Sequence, residues 1–237
     1  MRKEVDRCVM AFDEAMKNQT VSMICSGDAG VYGMSGLMYE VGVSYPEVEL
    51  SVIPGVTAAT GGGAVLGAPL IHDFCLISLS DLLTPWEKIE GRLLGASKAD
   101  FVICLYNPSS RKRSTYLAKA CEIMLEYKAE DTVCGIVKNI AREGETMQTL
   151  TLKELKETTV DMFSTVFIGN KQTKVIREKM VTPKGISYMK DKKDSIICRD
   201  NRRKKNLASY LGRKRRKTAR LCGNRFMRRV CFRKRRI

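Results

Sequence analysis

Four short apolar runs, at residues 21–25 (VSMIC), 50–53, 74–79 and 100–106 (DFVICLY), set the tightest limit on what this chain can fold into. The segments between them, 32–41, 57–66 and 85–95, carry helical spacing. Residues 3–17 likewise place Val5, Cys8, Val9, Phe12 and Met16 on one helical face. Strands alternating with helices in this way predict an α/β fold built on a parallel sheet with helices packed against it. After a further helix at 116–127 the character changes. TVCGIVKNI, ETMQTLTLKEL and STVFIGN are β-rich with short connections, which predicts a second subdomain with a mixed or antiparallel sheet. The expected division is 1–108, 109–185 and a tail at 186–237.

Charge separates that tail from the rest. The formal net charge is +16, yet residues 184–237 hold 22 Lys and Arg against three Asp, leaving 20 basic and 23 acidic residues in 1–183. A near-neutral body is expected to bury a core. The tail has too few regularly spaced apolar residues to do so and reads as disordered or irregular. Nine cysteines, several inside apolar runs (Cys25, Cys75, Cys104, Cys134), show no C-x-x-C or C-x-x-H spacing and are expected to be small buried hydrophobes in a reducing compartment. No apolar stretch approaches the roughly 20 residues that span a bilayer, and no signal-type segment follows the charged start, so the cytoplasm is the expected location.

Three strand ends open into unusual loops: SGDAGVYGM (26–34), VIPGVTAATGGG (52–63) and LYNPSSRKR (105–113). In an open α/β sheet, ligands bind outside the carboxyl ends of the strands, and all three loops fall there. Glycine at 27 and 30 permits close backbone approach, while Asp28 either caps the next helix or accepts from a ligand hydroxyl. Thr57 reads as an N-cap, and the small residues after it either let that helix pack closely on a neighbour or leave room for a flat ligand. Neither cluster fits G-x-G-x-x-G or a Walker loop. His72 is the single histidine, so a zinc site made by the protein is not expected. Ser78, Ser80, His72 and Asp73 lack a nucleophile-elbow sequence around them, which argues against hydrolase chemistry.

Taken together, SGDAGVYGM, VIPGVTAATGGGAVLGAPLIHDFCLISLSDLLTPWE, ADFVICLYNPSSRKR, FIGNKQT and MVTP resemble the tetrapyrrole methylases over about residues 4–185. Within them, HDFCLISLSDLLTPWE and LYNPSSRKR resemble the precorrin-3B C17-methyltransferases of cobalamin biosynthesis. The resemblance implies a tetrapyrrole methylase fold of two α/β subdomains, usually dimeric, with S-adenosyl-L-methionine bound in the cleft between them. Matched position by position, it implies that Ser26, Gly27, Asp28, Val31, Thr57, Ala58, Tyr106, Asn107 and Ile140 line the cofactor. Methyl transfer from a sulfonium needs orientation and desolvation more than a strong nucleophile, which suits a chain with no triad or metal cluster.

The substrate so implied is a tetrapyrrole macrocycle bearing many carboxylates, methylated at C17 with contraction of the ring. Ser109, Ser110, Arg111, Lys112 and Arg113 are the candidates to bind it, and His72, Asp73, Ser80 and Asp81 the candidates to handle protons. The resemblance also implies an additional first strand carrying a G-x-G-P-G turn; this sequence contains no such motif, so the cleft is expected to lack one wall. The basic tail has no family counterpart. The alternative reading is therefore an inactive methylase-like protein whose tail binds nucleic acid.

Overall fold

The computed structural model describes residues 3–110 and 113–185, together with the backbone of residues 227–234. Two compact units divide the chain: Met1–Lys184 with Phe226–Ile237, and Gly185–Arg225. The second lies almost wholly outside the described residues.

The first helix, α1 (Glu4–Met16), buries Cys8, Ala11, Phe12 and Ala15 along one face, and Glu4 and Asp6 in its first turn favour the helix dipole. Then come β1 (Val21–Ser26), α2 (Ser35–Gly42), β2 (Val48–Val52), α3 (Ala58–Leu66), β3 (Gly67–Ala68), β4 (Phe74–Ser78), α4 (Trp86–Lys98) and β5 (Val102–Tyr106). The β-rich half contributes α5 (Tyr116–Leu125), β6 (Val133–Lys138), β7 (Thr146–Thr151), α6 (Leu152–Lys156), β8 (Ser164–Ile168), β9 (Lys174–Ile176) and β10 (Lys179–Val181). A capping box starts α6: Thr151 accepts from the Glu154 N–H while the Glu154 carboxylate accepts from Thr151 N–H. The last described element is β11 (Met227–Lys234).

The strands do not form the single parallel sheet expected of the first half. β4 and β5 do pair in parallel, but inside a five-stranded sheet of order β4-β5-β8-β6-β7 whose other pairings are antiparallel. This sheet draws β4 and β5 from one side of the expected division after residue 108 and β6 to β8 from the other. β5 is the reason: Val102 to Leu105 are all buried, so both its faces are covered and both its edges are paired. Ile103 and Leu105 point to the cluster under α4, α5 and α6. Cys104 points the other way, into a cluster with Ala59 and Leu66 of α3 and with Phe167.

β1 and β2 lie in a second sheet of order β1-β11-β2, and β11 is antiparallel to both. Residues 227–234, within the stretch expected to be disordered or irregular, form this strand. In the register Val230 stands opposite Met23 and Val52, and Phe232 stands opposite Val21 and Leu50. The rest of 186–226 lies outside the described residues. A small third sheet, β3-β10-β9, closes against α3.

Cys8, Cys25, Cys104, Cys121 and Cys134 are buried, and burial pushes the thiols of Cys75 and Cys121 up to about 11 and about 12. These behave as packing residues rather than nucleophiles. Among the described residues no helix is long and apolar enough to cross a membrane.

Candidate active site

β1 and β2 run parallel to each other because both are antiparallel to β11. β4, β5 and β6 also share one direction, since β5 and β6 are each antiparallel to β8. The loops after β1, β2, β4, β5 and β6 carry nearly all the candidate residues, and hydrogen bonds tie these loops into one assembly.

Asp28 is the first tie. Its Oδ1 accepts from Gly30 N–H at 2.7 Å, an Asx turn that shapes its own loop, while Oδ2 accepts from Gly55 N–H at 2.7 Å in the loop after β2. The Gly55 and Gly30 N–H groups hold the carboxyl below the usual carboxylate range. Two glycines make the approach possible. Gly27 has φ +76°, and a Cβ on Gly55 would fall on the Gly27 carbonyl oxygen. Val31 closes the turn by donating N–H to the Asp28 carbonyl at 3.3 Å.

The second tie is Tyr106, at the end of β5. Thr57 is the N-cap of α3, as expected, but its side chain makes no cap hydrogen bond. Its hydroxyl lies 2.6 Å from the Tyr106 hydroxyl, and that phenol oxygen accepts from Ala59 N–H at 2.8 Å. A tyrosine from another element therefore caps α3, just beside Ala58. Burial raises the Tyr106 phenol above its usual range, so it stays protonated.

The third tie joins the loop after β6. Arg142 Nη2 donates to Ser26 Oγ at 3.1 Å, and Ile140 abuts α3, where a Cβ added to Gly61 or Gly62 would meet it at 3.0 or 2.9 Å. The small residues at this end of α3 thus serve close packing, one of the two alternatives left open by the sequence.

On the far side of Tyr106 the network continues. Asn107, with φ 51°, donates Nδ2 to Ser78 Oγ at 2.9 Å, and Ser80 N–H reaches the same oxygen at 3.2 Å. Arg113 then donates Nη1 to Ser80 Oγ at 2.9 Å and to Asp81 Oδ1 at 3.0 Å, and Nε to Ser110 Oγ at 3.1 Å. Tyr116 donates its hydroxyl to Asp81 Oδ2 at 2.6 Å. The Tyr116 hydroxyl and the Arg113 guanidinium hold the Asp81 carboxyl low, and the same bond to Asp81 raises the Tyr116 phenol. Ser109 is buried beside them. Arg111 and Lys112 lie outside the described residues.

The four residues expected to handle protons separate. Ser80 and Asp81 follow β4, whereas His72 and Asp73 precede it, at the opposite end of the strand. His72 Nε2 is 2.8 Å from the Pro183 carbonyl oxygen. His72 and Asp73 line a cavity of about 270 Å³ with Asp100, Phe101, Asn170 and Gln172.

Two residues of the assembly escaped the sequence reading. Tyr32 sits inside the first loop at φ 51°, a conformation bulky residues rarely adopt. Its hydroxyl donates to the Leu76 carbonyl at 2.9 Å, and its ring stands 5.1 Å from that of Tyr106. An aromatic within a glycine-rich loop was the available signal. Arg142 had only its place after a strand. Among the described residues no group of three or more His, Cys, Asp or Glu is arranged to hold a metal ion.

Backbone-shaped loops, neutral hydroxyls and amides, and an Arg paired with Asp can orient a polar cofactor and a carboxylate-bearing partner; they offer no activated nucleophile. The family described as Tetrapyrrole (Corrin/Porphyrin) Methylases matches residues 2–156. A probable cobalt-factor III C(17)-methyltransferase of Salmonella typhimurium is 47% identical over 186 residues, 78% of this chain and 77% of the relative. A precorrin-3B C(17)-methyltransferase of Sinorhizobium sp is 37% identical over 179 residues, 74% of this chain and 70% of the relative. The crystal structure of the methyltransferase CobJ superposes with a TM-score of 0.71 at 32% identity, covering 77% of both chains.

Proposed function

Because this chain belongs to the tetrapyrrole methylase family, we propose that it is an S-adenosylmethionine-dependent methyltransferase that methylates C17 of cobalt-factor III, with ring contraction, in cobalamin biosynthesis. Cobalt-factor III enzymes are 47%, 44% and 36% identical to this chain and a precorrin-3B enzyme 37%, so the two highest of these values support the cobalt-containing substrate. The family relationship favours this reading over a tail that binds nucleic acid.

The observation that carries the proposal is one polar path. It runs from Thr57 through Tyr106 to the adjacent Asn107, then through Ser78 and Ser80 to Arg113. It links the residues expected at the cofactor to those expected at the substrate. The donor set fits the cofactor: Ser26, Thr57, Tyr106 and Asn107 offer uncharged hydrogen-bonding groups, and Val31 and Ile140 offer apolar surface. S-adenosylmethionine, when bound, supplies a methyl group on a sulfonium that needs no further activation. The protein's part is to orient and to exclude water. Asp28 clasps the loops after β1 and β2, so both walls are set before the cofactor arrives.

Asp81 stays ionised because its carboxyl is held low, and both its oxygens are engaged. It therefore positions Arg113 and Tyr116 instead of donating a proton. Arg113, fixed in this way, retains N–H groups for a substrate carboxylate. Of the four residues first considered for proton handling, only Ser80 and Asp81 stand on this path.

The test is calorimetry of the purified chain with S-adenosylhomocysteine, followed by transfer of methyl from S-adenosylmethionine to cobalt-factor III. A folded chain with no affinity for S-adenosylhomocysteine would sink the proposal.

A further inference from the structure

Immediately after Asp81 the chain displays two leucines to water: Leu82 is 77% exposed and Leu83 98%. Single exposed leucines are ordinary. This adjacent pair is distinguished by how it is held. Asp81, on one side, is bound by Arg113 and Tyr116. Trp86, on the other, packs its ring on Tyr116 at 4.7 Å between centroids. Tyr116 thus fixes both ends of a short bridge, and the leucines at its crest are kept out of the core that Ile89 and Leu93 enter one turn later.

The bridge is continuous with the proposed active site, since Ser80 and Asp81 end the polar path described above. Asp81, the residue before the two leucines, also holds a cation, Arg113, whose own side chain is only 16% exposed. A tetrapyrrole has the matching pattern, a broad apolar ring system with carboxylates around its periphery. We propose that Leu82 and Leu83 form an apolar lip that covers one face of the tetrapyrrole macrocycle, with Arg113 beside it taking a peripheral carboxylate. This inference rests on the proposed function and adds the residues that recognise the ring itself. The chemistry is complementary: burying the leucines removes apolar surface from water on both partners, while the charge is met at the rim.

Trp86 is the single tryptophan of the chain and lies three residues from Leu83, so quenching of its fluorescence reports tetrapyrrole binding at the bridge. The full chain and a Leu82→Ser/Leu83→Ser variant are titrated with cobalt-factor III. Affinity for S-adenosylhomocysteine is measured by calorimetry and assembly state by sedimentation. The variant is expected to bind cobalt-factor III about tenfold more weakly or worse, as two leucines lose their burial. Its thermal midpoint, its S-adenosylhomocysteine affinity and its assembly state are expected to be unchanged, because both side chains already face water. A Leu83→Met variant should bind close to the parent.

Unchanged tetrapyrrole affinity in the serine variant overturns the inference. So does a change of assembly state with tetrapyrrole affinity intact, which would assign the leucines to a second copy of the chain. Loss of cofactor binding by the parent overturns the proposed function alone, whereas absence of tetrapyrrole binding by the parent overturns both.

Discussion

Replacing Asp28 should uncouple the two loops proposed to form the base of the cofactor site. Its carboxylate accepts two N–H bonds of 2.7 Å, from Gly30 within its own loop and from Gly55 across the gap. Hydrogen bonds to a charged acceptor contribute about 1.5–3 kcal/mol each when shielded. Asp28 is half-buried, so solvent screening reduces the pair to about 2 kcal/mol in total. At 1.4 kcal/mol per decade, Asp28→Ala should weaken S-adenosylhomocysteine binding about 30-fold. Asp28→Asn keeps one acceptor oxygen and should cost about 5-fold, on the order of 1 kcal/mol.

The pH dependence has a definite sign. The folded carboxyl is held low by the Gly55 and Gly30 N–H groups, so the clasp contributes fully above the unfolded value of about 3.9. It is lost as pH falls through the folded value. Calorimetric titrations should therefore show parent affinity level from neutral pH down to mildly acidic pH, with the Asp28→Asn deficit constant over that range. An Asp28→Ala protein that is folded and binds within twofold of the parent would refute the clasp.

Other substitutions test the neighbouring ties. Gly55→Ala would drive a Cβ onto the Gly27 carbonyl, so a loss of about 1–3 kcal/mol in chemical denaturation is expected, together with weaker cofactor binding. Tyr106→Phe removes the oxygen shared by Thr57 and Ala59, which should cost about 1–2 kcal/mol of stability and lower methyl transfer without abolishing it. His72→Ala is expected to leave kcat within about twofold while losing about 1 kcal/mol of stability with its bond to Pro183; a collapse of kcat with stability intact would return His72 to the chemistry.

The sequence made the strand ends legible because glycine, proline and Asx residues mark turns wherever they occur. Residues 26–28, 57–58, 106–107 and 140, far apart in the chain, do meet through Asp28, Tyr106 and the packing of Ile140 on α3. Sequence could not say which side chain would cap α3, since the donor to be satisfied, Ala59 N–H, meets a hydroxyl 47 residues away in the chain. Nor could adjacency separate His72 and Asp73 from Ser80 and Asp81. A five-residue strand lies between them and carries the two pairs to opposite ends. Tyr32 and Arg142 were invisible because their partners, the Leu76 carbonyl and the Ser26 hydroxyl, exist as a site only after folding. The strand at 227–234 was hidden by its charge, and its pairing partners, β1 and β2, lie about 180–210 residues away in the chain.

The most direct test of the account follows a labelled methyl group. The full chain is incubated with cobalt-factor III and S-adenosylmethionine carrying a carbon-13 methyl, and the tetrapyrrole is recovered and read by carbon-13 NMR. The account predicts a single labelled methyl on a ring carbon, at C17, with S-adenosylhomocysteine formed in equal amount. A chain that binds both ligands yet leaves the label on the cofactor, or delivers it to another ring position, would contradict it.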